Sequence, residues 1–273
     1  DSSYSLYIQY DSGHLKVIDE TYDQKEKLLS LLHPVDGFEG EGVLPMVDKI
    51  ESTEGVNIAI PRLKFGAMAS PGDEIVRMLG WGVDPDKELR FTDIESNFVN
   101  GRMVKPNKKE IVLGSGLLNK LDKTVGDSLT IVYTNSFDAF KGSTFEIVGE
   151  IDHYLPLIND RLFYIPLDQA QRILIMGNSA TEILIKADTM NKADEVQPKI
   201  EQIINNNDSR GKYIVQTWDE ANPMLKLFNV AEYIYNVIYI LLILLAAIVV
   251  INTMVMIVKE RTQEIGMMSF LGL

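Results

Sequence analysis

The apolar positions of this chain change their period several times, and each change marks an element. From Tyr4 the residues alternate, with Tyr4, Leu6, Ile8 and Tyr10 on one face and Ser5, Tyr7 and Gln9 on the other, as in a half-buried strand. "DSGH" bends it before Leu15 and Val17 resume the pattern. In "GEGVLPMVDKIEST" the period lengthens, and Val43, Met46, Val47 and Ile50 share one face of a helix. "VNIAIPRLKFGAMA" alternates at Val56, Ile58 and Ile60, then at Leu63, Phe65 and Ala67. A one-residue slip turns every side chain to the other face, so a bulge or bend is predicted at Pro61–Arg62.

The middle is richer in turn residues. A short strand is predicted from Glu74 to Leu79, with "GWGVDPDKELRF" and "VKPNKKE" as loops. "EIVLGSGLLNKLDKTVGDSLTIVY" reads strand, short helix, turn, strand, with Leu117, Leu118 and Leu121 on the helix face and Leu129, Ile131 and Tyr133 on the strand. "TFEIVGEIDHYL" alternates at Phe145, Ile147, Gly149 and Ile151, and "RLFYIPLDQAQRIL" is a strand broken by Pro166 before a helix. The last third returns to a simpler rhythm. "TEILIKAD" is a strand, and "NKADEVQPKIEQIIN" a helix burying Ala193, Val196, Ile200, Ile203 and Ile204, with Pro198 expected to kink it or delay its start. "KYIVQTW" is another strand, after which Asp219 caps a long helix through Leu225 and Phe228. Two α/β pieces thus flank a β-rich middle, an α+β domain in which one subdomain is built from both ends and a second is inserted.

One run has no polar face. From Tyr235 to Val258 no residue is charged, and Asn236, Asn252 and Thr253 are its main polar interruptions. At about 1.5 Å per residue it spans roughly 35 Å, enough for a bilayer core of about 30 Å. Lys259 and Arg261 follow it directly, while Asp219, Glu220 and Glu232 precede it against a single Lys226, so its C-terminal end is expected to face the cytoplasm. Tyr233, Tyr235 and Tyr239 fall at the outer interface, in contact with membrane lipid, and residues 1 to about 230 lie outside the cytoplasm. With no export signal at its start, the sequence is expected to belong to a longer polypeptide with a membrane helix just before Asp1.

Charge and composition narrow the function. The formal net charge is −13, without clustered Lys and Arg, which argues against nucleic acid. With no cysteine, the domain is held by its core alone. The three histidines, His14, His33 and His153, lack ligand spacing. "DPDKE" lacks the glycine and terminal glutamate of a calcium loop and reads as a solvated turn, "LGSGLLN" has Asn119 where a third dinucleotide-loop glycine belongs, and no G-x-x-x-x-G-K-[ST] occurs. "NDS" at Asn207 is a glycosylation sequon by pattern. No catalytic residue, cofactor or metal site is predicted. Near the inner end of the span, Thr253 either bonds its own backbone or joins Asn252 in a contact with another helix.

The segment "VINTMVMIVKERTQEIGMMSFLGL" resembles the signature of FtsX-like permeases, the membrane subunits of macrolide-exporter and lipoprotein-releasing ABC transporters. The matching positions are Asn252–Thr253–Met254, Glu260–Arg261, Glu264–Ile265–Gly266 and Leu271–Gly272, with Phe270 in place of the usual alanine. "GWGVDPDKE", "GRMVKPNKKEIVLGSGLLNKLDKTVGDSLTI" and "FYIPLDQAQRIL" are similar to the periplasmic core of the same family, and "SGHLKVIDETYDQ" to its lipoprotein-releasing branch. The resemblance implies a porter-like subdomain from residues 1–72 and 179–228, an inserted β-rich subdomain at 73–178, a stalk and transmembrane helix at 229–258, and a cytoplasmic coupling segment at 259–273. It implies an inner-membrane permease, itself no enzyme, that works by mechanotransmission with an ABC ATPase subunit or domain, a second permease copy or paralogue, and lipoprotein or other hydrophobic cargo. Glu260, Arg261, Glu264, Ile265 and Gly266 would meet the ATPase, a role compatible with simple interfacial anchoring. A macrolide or peptide exporter, and a scaffold activating a cell-wall hydrolase, share the resemblance. A membrane-anchored enzyme would need a catalytic constellation.

Overall fold

The computed structural model describes residues 13–23, 29–72, 74–153, 155–221 and 223–270. The strand expected at Tyr4 to Tyr10 lies outside them. The chain divides into two compact units, Asp1–Ala221 and Asn222–Leu273.

The first unit begins with β1 (Leu15–Asp19), α1 (Val43–Glu51), β2 (Val56–Ala69), β3 (Val76–Val83) and α2 (Pro85–Thr92). It continues through β4 (Phe98–Gly101), β5 (Glu110–Gly114), α3 (Ser115–Leu121), β6 (Ser128–Thr134) and β7 (Phe140–Ile151). It closes with α4 (Pro156–Arg161), β8 (Leu162–Pro166), α5 (Leu167–Leu174), β9 (Glu182–Ala187), α6 (Ala193–Asn207) and β10 (Tyr213–Thr217). All ten strands belong to one sheet in the order β10-β1-β9-β2-β3-β8-β5-β7-β4, with β6 joining β2 to β7. That last pairing matters. It closes β2, β3, β8, β5, β7 and β6 into a ring, a small barrel, and leaves β10, β1 and β9 as an open sheet attached along β2. Closure removes the exposed edges that a sheet of short strands would otherwise present.

Each part has its own apolar core. Beside the open sheet, Val43, Met46, Val47 and Ile50 of α1 and Ala193, Val196, Ile200 and Ile204 of α6 pack on Leu15, Val17, Ile183 and Ile185. The helix faces read from the sequence are those buried, except that Ile203 is only half-buried. α6 runs through Pro198 without interruption. Inside the barrel, Leu63, Phe65, Ile111, Leu113, Ile131, Phe145, Phe163 and Ile165 meet Leu117, Leu118 and Leu121 of α3 and Ala170 and Leu174 of α5.

The strand shared by both parts corrects two readings. β2 pairs in unbroken register with β9 through Ile60, Pro61 and Arg62, and the irregularity sits between Val56 and Ile58 instead. There is no slip at Pro61–Arg62. The even residues Ile58, Ile60, Arg62 and Lys64 share one face and the odd residues Ala59, Leu63, Phe65 and Ala67 the other, and both faces are buried. What changes along β2 is which face is apolar. Second, "GWGV" is the end of β3, not a loop. Gly80 and Gly82 point into the barrel, where a Cβ on Gly80 would lie 2.5 Å from the Phe65 and Phe163 rings and one on Gly82 would lie 2.3 Å from the Ala170 Cβ. Those glycines admit the edge-to-face pair of Phe65 and Phe163, 5.6 Å between centroids.

The second unit is one helix, α7 (Pro223–Phe270), of 48 residues. Before it, Trp218–Ala221 forms a single helical turn, and Asp219 accepts a hydrogen bond from the Thr217 hydroxyl. Asp219 therefore precedes α7 and does not cap it.

Candidate functional site

The residues proposed to face an ATPase all lie on α7. This helix holds a candidate membrane span at Tyr233–Met268, 36 residues long, with no buried side chain among those described. At about 72 Å in all, α7 is far longer than a bilayer core of about 30 Å, so apolar span and charged segment form one continuous helix. At about 100° per residue, Thr253, Glu260 and position 264 fall on one stripe. Asn252, Lys259, Gln263 and Gly266 fall on the stripe beside it. Arg261 and Ile265 share a third direction, away from both. The helix thus brings Thr253 into line with Glu260, and Asn252 into line with Lys259 and Gly266, which their separation in sequence did not show. The Thr253 hydroxyl donates to Val249 O at 2.9 Å, and that of Thr262 to Val258 O at 2.7 Å. Thr253 is thereby satisfied by its own helix.

A second feature escaped sequence reading. "DPDKE" is no solvated turn: Asp84 caps α2, accepting from the Asp86 and Lys87 N–H groups, and Pro85 opens the helix. Its carboxylate Glu88 is fully buried and accepts from the Arg62 guanidinium at 2.6 Å. Burial pushes the Glu88 carboxyl up, against the pull of Arg62 and Lys64. Lys64, also on β2, pairs with the buried Glu182 of β9 at 3.0 Å. Arg62 lies over the Trp81 ring, 3.9 Å from its centroid, and Trp81 meets Tyr164 edge-on at 5.6 Å. The Thr181 hydroxyl completes the cluster: it donates to Arg62 O at 3.0 Å and accepts from the Lys64 N–H at 2.9 Å, just where β9 leaves β2. The only sequence signal was a pair of cations on an otherwise apolar strand.

A third cluster ties the loop at Asp36–Gly37 to the start of β10. Arg210 donates to Asp36 at 3.1 Å and to Asp208 at 2.7 Å, Lys212 donates to Asp36 at 2.8 Å, and the Tyr213 hydroxyl binds Asp36 as well. Burial raises the Asp36 pKa, but the hydrogen bonds from Lys212, Tyr213 and Arg210 outweigh it and hold the carboxyl below its usual range. Two histidines bind backbone. His14 Nδ1 accepts from the Ala187 N–H at 3.1 Å and His153 Nδ1 from the Leu155 N–H at 3.0 Å. Among the described residues no group of acidic, histidine or cysteine side chains could hold a metal ion.

An α+β domain is thus followed by a helix long and apolar enough to cross a membrane. Residues 15–203 match the MacB-like periplasmic core domain, and the chain belongs to that family. It is 26% identical over 229 residues to the lipoprotein-releasing system transmembrane protein LolE of Haemophilus influenzae, covering 78% of this chain and 51% of that protein. To LolC of Xylella fastidiosa, a lipoprotein-releasing system transmembrane protein, it is 23% identical over 207 residues, 70% of this chain and 47% of the relative. The chain thus spans about half the length of these relatives. Two solved structures share the fold. The extracellular domain of the noncanonic ABC-type transporter YknZ from Gram-positive bacteria aligns with TM-score 0.51 and 12% identity, over 74% of this chain and 99% of that one. The periplasmic region of MacB from Actinobacillus actinomycetemcomitans aligns with TM-score 0.51 and 9% identity, over 81% and 95%. The chain is therefore a MacB-like periplasmic core domain with a candidate membrane helix behind it.

Proposed function

We propose that this chain belongs to the permease of an ATP-driven mechanotransmission transporter that releases lipoproteins, or a related hydrophobic cargo, from the outer face of the inner membrane. The observation that carries the reading is α7: one unbroken helix in which the apolar span passes directly into Lys259–Gly266. A rigid rod can carry movement from a motor on one side of a membrane to a domain on the other. The partners are an ABC ATPase subunit or domain, a second permease copy or paralogue, and membrane lipid along the span. Glu260, Arg261, Glu264, Ile265 and Gly266 form the contact with the ATPase, and Asn252 and Thr253 the contact with a neighbouring helix. In the outer domain, residues 1–72 with 179–228 form the porter-like subdomain and 73–178 the inserted one. The similarity to LolE and LolC, extending over most of this chain, is what supports the lipoprotein reading.

The test uses the full-length protein with its ATPase in proteoliposomes loaded with a radiolabelled lipoprotein. Glu260→Ala with Arg261→Ala is expected to lower ATP-dependent release at least tenfold with the permease still inserted. Release at the wild-type rate would remove the coupling role, and ATP turnover without release of any lipoprotein would remove the cargo assignment.

A further inference from the structure

The outer domain is assembled from two parts that share one strand. The chain leaves the open sheet along β2 and returns through Met176–Thr181 into β9. On the odd face of β2 the cores are apolar on both sides of the crossing, with Ala59 in one and Leu63 and Phe65 in the other. Apolar contacts of this kind are non-directional and tolerate small rotations. The even face is different. Ile58 and Ile60 pack on Phe91 and Leu184, and the next two even positions, Arg62 and Lys64, are charged and at most 4% exposed. Their partners stand on separate elements. Glu88 comes from α2, whose Phe91 rests on the open sheet, and Glu182 from the first residue of β9 at the return crossing. Arg62 and Glu182 are themselves register partners, and Lys64 is the register partner of Trp81 in the barrel.

We infer that this buried cluster is an orientational lock, which holds the barrel and the open sheet at one mutual angle so that the outer domain moves as a single body. The physical reason lies in distance dependence. In the interior, separating a charge from its partner by an ångström or two exposes an uncompensated buried ion, whereas an apolar contact slides at little cost. Two pairs diverging from neighbouring positions of one strand restrain twist as well as separation. A single pair would leave a pivot. The Thr181 hydroxyl, bonded on both sides to β2, pins the return crossing to the same point. The lock stands on this geometry alone and does not depend on what cargo the permease moves.

This chain has no cysteine, so paired spin labels can be placed cleanly within it once any cysteine elsewhere in the full-length protein is replaced. Gln202→Cys on α6 and Lys141→Cys on β7, both exposed, report on the angle between the parts, and Lys120→Cys with Lys141→Cys reports on the barrel alone. The unaltered cluster is expected to give a narrow distance distribution for both pairs. Replacing charge by apolar volume in Arg62→Met/Glu88→Leu preserves the packing and removes the restraint. It is expected to at least double the width for the 202–141 pair while the 120–141 pair stays narrow. Glu88→Gln should broaden the first pair in the same way, and where it fails to fold the apolar double variant decides. A folded double variant whose 202–141 distribution keeps the original width overturns the lock.

Discussion

Two ionic clusters join distant segments of the outer domain, and their chemistry is nearly the same. In one, Arg62 and Lys64 meet Glu88 and Glu182; in the other, Arg210 and Lys212 meet Asp36 and Asp208. Their solvent exposure separates them. The side chains of Arg62 and Glu88 are at most 1% exposed, those of Arg210 and Asp36 about 30%. Water competes for Asp36, Arg210 and Lys212 of the second cluster and cannot reach the first. The buried pairs therefore act chiefly by forbidding other arrangements, since desolvation cancels much of their attraction, whereas the half-exposed network adds a modest stabilisation without enforcing one geometry. Similar residues thus serve specificity in one place and stability in the other.

The sharpest way to break this comparison is to remove one charge from each cluster. Glu88→Gln leaves Arg62 buried without its counter-charge, and the cost is expected to be about 3–5 kcal/mol. For a domain of this size that lowers the melting midpoint by roughly 10 °C, measured by circular dichroism of the full-length protein in detergent. Arg62→Met/Glu88→Leu, which removes both charges, should melt within a few degrees of the original. If the single and double variants melt together, burial is not what distinguishes the clusters.

Arg210→Ala is expected to cost about 1–3 kcal/mol, because Lys212 and the Tyr213 hydroxyl still satisfy Asp36 while the buried Asp208 loses its Arg210 partner. The loss should shrink in about 1 M salt, where the screening length falls to about 3 Å. The Glu88→Gln effect should be unchanged by the same salt. A salt response of equal size in both would make the two clusters one kind.

The clusters were also unequally legible. α1, α6 and the span could be read from periodicity, because one apolar face sets a period and a uniformly apolar run sets a length. β2 misled for a physical reason: a strand buried on both faces loses its alternation, and the exchange of apolar for charged residues at Arg62 imitates a slip. Trp81 between two glycines looked like a loop because the space those glycines leave is visible only once Phe65, Phe163 and Ala170 are in place. Glu88 looked solvated because its helix is short and its partner lies far away in sequence. On α7 the motif gave the residues and the helix gave their alignment.

The smallest effect is the most informative about sign. Burial, reinforced by Lys186, lowers the pKa of His14, and burial lowers that of His153 against the pull of Asp152. Both imidazoles stay neutral in the folded domain below the pH at which the unfolded chain takes up protons, near 6.5. Their contribution is complete above that value and is lost as pH falls through it toward the folded pKa. The Asp36 and Asp208 carboxyls, also lowered, act only further down, below the usual carboxylate range. Glu88 works in the opposite sense. Its raised pKa makes the folded state the better proton acceptor, a contribution gained as the pH falls and absent well above its folded pKa. His14→Asn with His153→Asn keeps a hydrogen-bond acceptor at each site and removes the titration, so its melting midpoint should fall less between pH 7.5 and about 5.5 than that of the unaltered chain. In the Arg62→Met/Glu88→Leu background, with the opposing carboxyl gone, the acid-side fall should become steeper. A slope unaffected by either change would mean that neither the two histidines nor the buried glutamate senses pH through folding.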